Sequence, residues 1–237
     1  MGTVTLKNNA INPSPRTTAR VAGVMYLIII VFGISSEVLI RGSLIVAGDA
    51  AATAENIMVS PGLFRAGFAA DAIMLLSDVA LAVLLFQLLK PVSEMLSLMA
   101  AAFRLTQAAV LGFNLMNFYA PMLVLGGAVS PDAFDPGQIH GLASFFLTLH
   151  GYGYDLGLLF FGVSNLILGY LVVKSEYFPG VLGWGLFAAG VVYLAGSFAR
   201  FLAPGYISYI EPAYIVPVIA EVSFCLWLLI KGVRNQA

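Results

Sequence analysis

The stretch VAGVMYLIIIVFGISSEVLI, residues 21–40, decides the fold. It is predominantly apolar over about the 20 residues that a helix needs to cross hydrocarbon. It does not alternate in polarity, as a barrel strand of ~10 residues would. A basic leader (Lys7, Arg16, Arg20) precedes it. A cleaved signal peptide would end in a small-residue site, whereas this run continues to Ile40 through the unsuitable Ser35-Ser36-Glu37. It therefore reads as a retained signal-anchor helix.

Five further stretches share this character, at about residues 63–89, 93–125, 142–173, 180–202 and 210–230. The third and fourth segments are long enough to tilt or to extend past the bilayer core. Composition agrees: of 237 residues, 60% are hydrophobic and 10% charged, with a mean hydropathy of +0.95. A soluble domain runs near ~45–50% apolar and ~25% charged. An ordinary soluble fold, a disordered chain and a collagen-like repeat are all excluded. With 11 Lys+Arg against 12 Asp+Glu, the net charge of −1 offers no basic surface for nucleic acid. The one cysteine, Cys225, forbids an intrachain disulfide and any multi-cysteine metal site. The expected fold is all-α: a polytopic bundle of six spans in one domain over residues 21–231, with a flexible tail at 1–20 and a short one at 232–237.

Basic residues set the expected orientation. Lys7, Arg16, Arg20, Lys90, Lys174, Lys231 and Arg234, seven of the eleven, fall on one side. The opposite loops carry Asp49, Glu55, Asp132 and Asp135, with Arg41, Arg65 and Arg200 near helix ends. The positive-inside rule then places both termini in the cytoplasm and the chain in the cell inner (plasma) membrane. In the loop at residues 41–62, Asp49 can cap a short alanine-rich helix that stops at Ser60-Pro61-Gly62. Ile57 and Met58 would rest that helix on the membrane surface. Residues 126–141 have turn chemistry in Gly126-Gly127, Pro131, Pro136 and Gly137.

Several strings occur together: Ala19-Arg20-Val21-Ala22-Gly23 with Tyr26; Gly48-Asp49 followed by Ala50 to Ala54; Lys90-Pro91-Val92; Arg104-Leu105-Thr106-Gln107-Ala108; Gly151-Tyr152-Gly153-Tyr154 with Phe160-Phe161-Gly162; and Leu226-Trp227-Leu228-Leu229 with Lys231-Gly232. As a set they resemble the bacterial integral-membrane family described as domain of unknown function 4386, from about Ala19 to Gly232. The resemblance implies a multi-helix membrane protein and brings no activity or site residues with it.

Ionisable side chains at span centre cost ~2.5–3.5 kcal/mol each on insertion scales, so each needs a partner, a cavity or a task. In the second segment, Asp71 and Asp78 lie within about 20° of one face. In the third, Arg104, Gln107, Leu111 and Asn114 fall within an arc of roughly 80°. The fourth carries His150 and Asp155, and the sixth carries Glu221 four residues after a kinking Pro217. The deep set then holds four carboxyls (Asp71, Asp78, Asp155, Glu221) against one guanidinium and one imidazole. That acid excess points to protonated carboxyls, a bound cation or admitted water. Arg104, as the sole deep guanidinium, is expected to pair with Asp78 or another deep carboxylate and to matter more for folding than Asp78. The outer-end charges Glu37, Arg41, Arg65, Arg200 and Glu211 read as snorkelling or interfacial pairs.

Each of these residues also has a plain structural reading, in which interhelical hydrogen bonds contribute ~0.6–2 kcal/mol apiece. His140 and His150 have no spacing suited to a metal, no serine-nucleophile elbow or phosphate loop is present, and neither cofactor nor metal is expected. Gly153-x-x-x-Gly157, extended by Gly162 and Gly169, reads first as close packing within the bundle and second as a homo-oligomer seam. Tyrosines and Trp184 and Trp227 suit interfacial belts, and Cys225 reads as a packing residue.

Three functions stay open. One is transport or binding of a small polar solute, cation or proton through a polar cavity in the outer half of the bilayer, with candidate residues Asp71, Asp78, Arg104, Gln107, Asn114, His150, Asp155 and Glu221 and walls from segments two, three, four and six. Another is an intramembrane enzyme acting on a lipid or isoprenoid with His150 and Asp155 as acid and base. The last is a non-catalytic accessory subunit. Membrane lipids are the expected partners in each.

Overall fold

Capping residues start the helices. Ser14 accepts from the Thr17 backbone N–H at 3.2 Å and Pro15 takes the first helical position, so α1 begins there and runs over Pro15–Leu44. Asp49 caps α2 (Ala50–Val59) by accepting from Ala52 N at 2.9 Å. Ser60-Pro61 stops α2 and starts α3 (Pro61–Leu89). Ser93 caps α4, which runs over Glu94–Ala128. Asp135 and Gln138 form a reciprocal capping box at the start of α5 (Pro136–Lys174). Helices α6 (Gly180–Leu202) and α7 (Pro204–Ile230) complete the chain. All except α2 are long and apolar enough to cross a membrane, and no strand occurs among the described residues. This computed structural model describes residues 14–128 and 134–233. The expectations for Lys7, Asp132, Arg234 and the extreme tails fall outside them.

The six spans form a closed ring in chain order: α1 packs on α3, α3 on α4, α4 on α5, α5 on α6, α6 on α7, and α7 back on α1. The ring closes tightly at the end where residues 14–23 and 225–233 lie. A Cβ on Gly23 of α1 would lie 2.8 Å from Leu229 Cγ, and Cys225 Sγ donates to the Gly23 carbonyl at 3.5 Å. Tyr26 meets Phe224 edge-to-face at 6.2 Å, and a buried cluster including Leu81, Leu85, Leu171, Leu186 and Leu228 fills the interior there. The opposite end is looser, and it holds the polar residues.

Four features correct the reading of the sequence. Helix α1 already includes residues 15–20, which were read as tail. The fourth span begins at Pro136 rather than near residue 142, because Asp135-Pro136 with Gln138 is a helix start. In α2 the Ile57 side chain is buried against Ile40, Leu44, Phe64, Phe118 and Leu147, plugging the ring rather than resting on a membrane; only Met58 of the pair is exposed. Pro217 lies in the first turn of the regular stretch Ile215–Ile230, where its missing N–H costs little. The irregular path lies upstream, in the tight 3₁₀ turns Pro204–Tyr206 and Glu211–Tyr214.

The glycines of α5 do not form one face. Gly153 and Gly157 meet α4: a Cβ on Gly153 would collide with the Asn114 side chain, and one on Gly157 would lie 2.6 Å from Leu111 Cδ2. Gly162 and Gly169 project about 160–180° from Gly153 and meet α6 instead. There a Cβ on Gly169 would sit 2.6 Å from the Gly183 carbonyl oxygen, and one on Gly190 would sit 2.7 Å from that of Gly162. The Gly153/Gly157 face, the second reading of which was a seam to another copy, is covered within the chain.

Candidate functional site

Three buried or half-buried ion pairs line the interior, each joining two spans. Arg104 of α4 reaches Asp78 of α3, its Nε donating to Oδ1 at 2.6 Å. Both side chains are almost wholly buried, and the guanidinium lies between the Tyr26 and Phe161 rings, 5.4 and 4.9 Å from their centroids. Gln107, one turn further along α4, donates its amide to Asp78 Oδ2 at 2.6 Å in the orientation that satisfies both of its ends.

Asp71 is not Arg104's partner. It accepts from Arg41 Nη1 at 2.6 Å, and Arg41 Nε also donates to Glu37 at 2.7 Å. The local backbone explains why an arginine near a helix end is buried. Residues Ser35–Arg41 form a wide π-helical turn, a feature often found at functional sites. Arg41 is held inside that turn by Ser36 Oγ at 3.1 Å, and Ser36 in turn donates to the Gly67 carbonyl of α3 at 3.3 Å. The third pair is Asp155 of α5 with Arg200 of α6, at 2.7 Å.

The acid excess expected from the sequence is therefore smaller than counted. Arg41 and Arg200, read as interfacial, serve Asp71 and Asp155. Glu221 is the exception. Among the described residues it takes part in no ion pair; Tyr193 Oη donates to its Oε1 at 2.9 Å and Asn165 Nδ2 to the same atom at 3.4 Å. Asn114 and His150 join α4 to α5: Asn114 Nδ2 donates to the His150 carbonyl at 2.8 Å and lies 3.2 Å from Nδ1. Among the described residues no three His, Cys, Asp or Glu side chains converge as metal ligands would.

Two adjoining cavities occupy the looser half of the ring. The distal one, about 650 Å³, is lined by Glu37 and Arg41 of α1, His150, Tyr154 and Asp155 of α5, Arg200 of α6, and Glu211 and Tyr214 of α7, among others. The inner one, about 330 Å³, draws on every span: Gly33, Asp78, Gln107, Phe161, Tyr193 and Glu221 all face it. Glu37, Tyr154, Leu158 and Tyr214 line both, so the two adjoin there. The walls expected from the sequence were segments two, three, four and six, whereas the distal cavity is walled by α1, α5, α6 and α7. Of the sequence candidates, Asp78, Gln107 and Glu221 meet at the inner cavity and His150 and Asp155 at the distal one. Asp71, Arg104 and Asn114 stand behind these walls as partners. The residues missed were Arg41, Arg200, Glu37, Tyr154, Tyr193 and Tyr214. The available signal was a guanidinium near the same span end as each apparently unpaired carboxylate.

A family model described as domain of unknown function 4386 matches residues 21–232, nearly the whole chain. The chain belongs to this family. A curated relative from Archaeoglobus fulgidus, named only as an uncharacterized protein, is 33% identical over 160 residues, covering 68% of this chain and 80% of the relative. No solved structure matches. Membership of the 4386 family agrees with the multi-pass helical architecture, and the matched region includes all the ion pairs and both cavities.

Proposed function

We propose that this family member is a ligand-binding or transport protein of the plasma membrane, taking a small polar solute or cation through the distal cavity. With both termini in the cytoplasm, as the lysine and arginine asymmetry favours, this cavity opens toward the outer face. The observation that carries the reading is the cavity itself: about 650 Å³, within the range typical of small-molecule sites, and lined by paired and unpaired charges from four spans. An accessory subunit needs no such space, since helix-gluing charges work in a filled core. The enzyme reading has less support. His150 is engaged by Asn114 and Asp155 by Arg200, on different neighbouring helices, so the two do not converge as an acid and a base.

The test is a thermal-shift screen of small amines, amino acids and inorganic cations on the purified protein in nanodiscs. Gly151 lines the cavity, and a Cβ built on it meets nothing within 4 Å, so Gly151→Trp is a substitution at the cavity wall whose first carbon has open space. At least one solute is expected to raise the melting temperature of the unmodified protein and not that of Gly151→Trp. If no solute stabilises the protein, or the variant responds equally, the reading is overturned.

A further inference from the structure

The inner cavity has a composition unlike the distal one. Its polar end is Glu221, a buried carboxyl that forms no ion pair among the described residues; both its hydrogen bonds go to Oε1, and the nearby Arg104 guanidinium acts on it without contact while paired to Asp78. Around it stand aromatic rings. Phe161 and Tyr193 lie 5.2 Å apart and Tyr193 and Tyr214 5.9 Å apart, each pair inclined so that ring faces and edges alternate along the wall. Asp78, the other carboxyl at this cavity, is already matched by Arg104. Glu37, at the junction with the distal cavity, shares Arg41 with Asp71. With its carboxyls ionised, the chamber would carry a net negative charge.

The remaining walls are aliphatic, and they lead sideways. Ile30, Ile34 and Val38 of α1 face Val218 and Val222 of α7 across the cavity. Ile34, Val38 and Val218 line the cavity and are 48%, 62% and 47% exposed. Helices α1 and α7 touch closely at Gly23, Tyr26 and Cys225, whereas further along both contribute side chains to the wall of the cavity. A lateral opening between them there would lie at the depth of the acyl chains.

A carboxylate buried in low dielectric needs a counter-charge. Aromatic faces attract cations, quaternary ammonium groups above all. An apolar portal into lipid admits only molecules that already partition there. We propose that the inner chamber binds a lipophilic organic cation, an amine or quaternary centre on an apolar body. The ligand enters from the membrane between α1 and α7 and sets its charge against Glu221 and the Tyr193 and Tyr214 rings, Phe161 being engaged by Arg104. This deepens the ligand-binding reading and rests on it for the idea that the ring interior is a site.

The test uses the full chain in lipid nanodiscs with radiolabelled tetraphenylphosphonium, its near-isosteric anion tetraphenylborate, and choline as a small hydrophilic cation, with empty nanodiscs as background. Saturable binding of tetraphenylphosphonium is expected, with none of tetraphenylborate and no displacement by millimolar choline. Glu221→Gln should weaken binding at least tenfold, and Glu55→Gln, on the exposed face of α2, should leave it unchanged. Ile34→Trp, which narrows the portal from a position half-exposed to lipid, gives a second reading that does not depend on Glu221 folding normally as glutamine; it too should weaken binding at least tenfold. Absent saturable binding, equal binding of the anion, or full affinity in both Glu221→Gln and Ile34→Trp would overturn the proposal. Stabilisation by a hydrophilic solute that is sensitive to Gly151→Trp, without tetraphenylphosphonium binding, would sink this inference and leave the broader reading standing. Tetraphenylphosphonium binding with no such solute would do the reverse.

Discussion

Asp78 and Arg104 show how pairing changes the cost of a substitution. If Arg104 were the sole cation among four deep carboxyls, its loss would be the more damaging. Once Arg41 and Arg200 take charge of Asp71 and Asp155, replacing Arg104 leaves only Asp78 unmatched. A carboxyl can accept a proton and keep its bond to Gln107; a guanidinium cannot shed its charge. Asp78→Asn should therefore destabilise the protein by about 3–5 kcal/mol, as is usual for a buried charge stripped of its partner, and Arg104→Gln by less. Joint replacement, Asp78→Leu with Arg104→Met, should recover most of that loss. Thermal unfolding in one detergent would measure all three, and a larger loss for Arg104→Gln would show that it serves a second carboxylate.

Helix α5 shows the same dependence on context at the scale of an element. Its small residues look alike in the sequence, but each pair has its own neighbour, α4 for Gly153 and Gly157 and α6 for Gly162 and Gly169. Gly157→Leu should cost about 1–3 kcal/mol or more by forcing α4 away. In Gly112→Leu the added carbon has open space and gains up to about 1 kcal/mol of helix propensity. Gly48 would be a poor control, because its φ of 77° strains any side chain. Gly183→Ala tests the α5–α6 contact directly: its Cβ would lie 2.6 Å from the Gly169 carbonyl oxygen, whereas Gly180 has nothing within 4 Å. Melting temperatures should fall for Gly183→Ala and hold for Gly180→Ala; equal values would mean the two helices can part at no cost.

At the scale of the whole molecule, the ring gives the orientation a clear test. In a Cys225→Ser background, cysteine at exposed Glu55 should react with an impermeant thiol reagent in intact cells, and cysteine at exposed Glu176 should not. The opposite pattern would invert the protein and turn its cavity to the cytoplasm. Six spans and the helical class were legible in the sequence, because a bilayer demands long apolar runs whatever their neighbours. Individual starts were legible too: Asp49 caps α2 because capping is decided within four residues. That Arg104 would pair with Asp78 or another deep carboxylate followed from charge, and the packing of α3 on α4 selects Asp78. Other features could not be read this way. That Arg41 turns inward depends on a π-turn and on Ser36 meeting the Gly67 carbonyl, a contact across 31 residues. The meeting of Glu221, Tyr193 and Phe161 depends on six helices closing into a ring and on the rotation of each about its axis. Hydropathy and spacing act along the chain and determine what enters the membrane. Only the packing of side chains from different spans decides which faces meet, and so where the cavity opens.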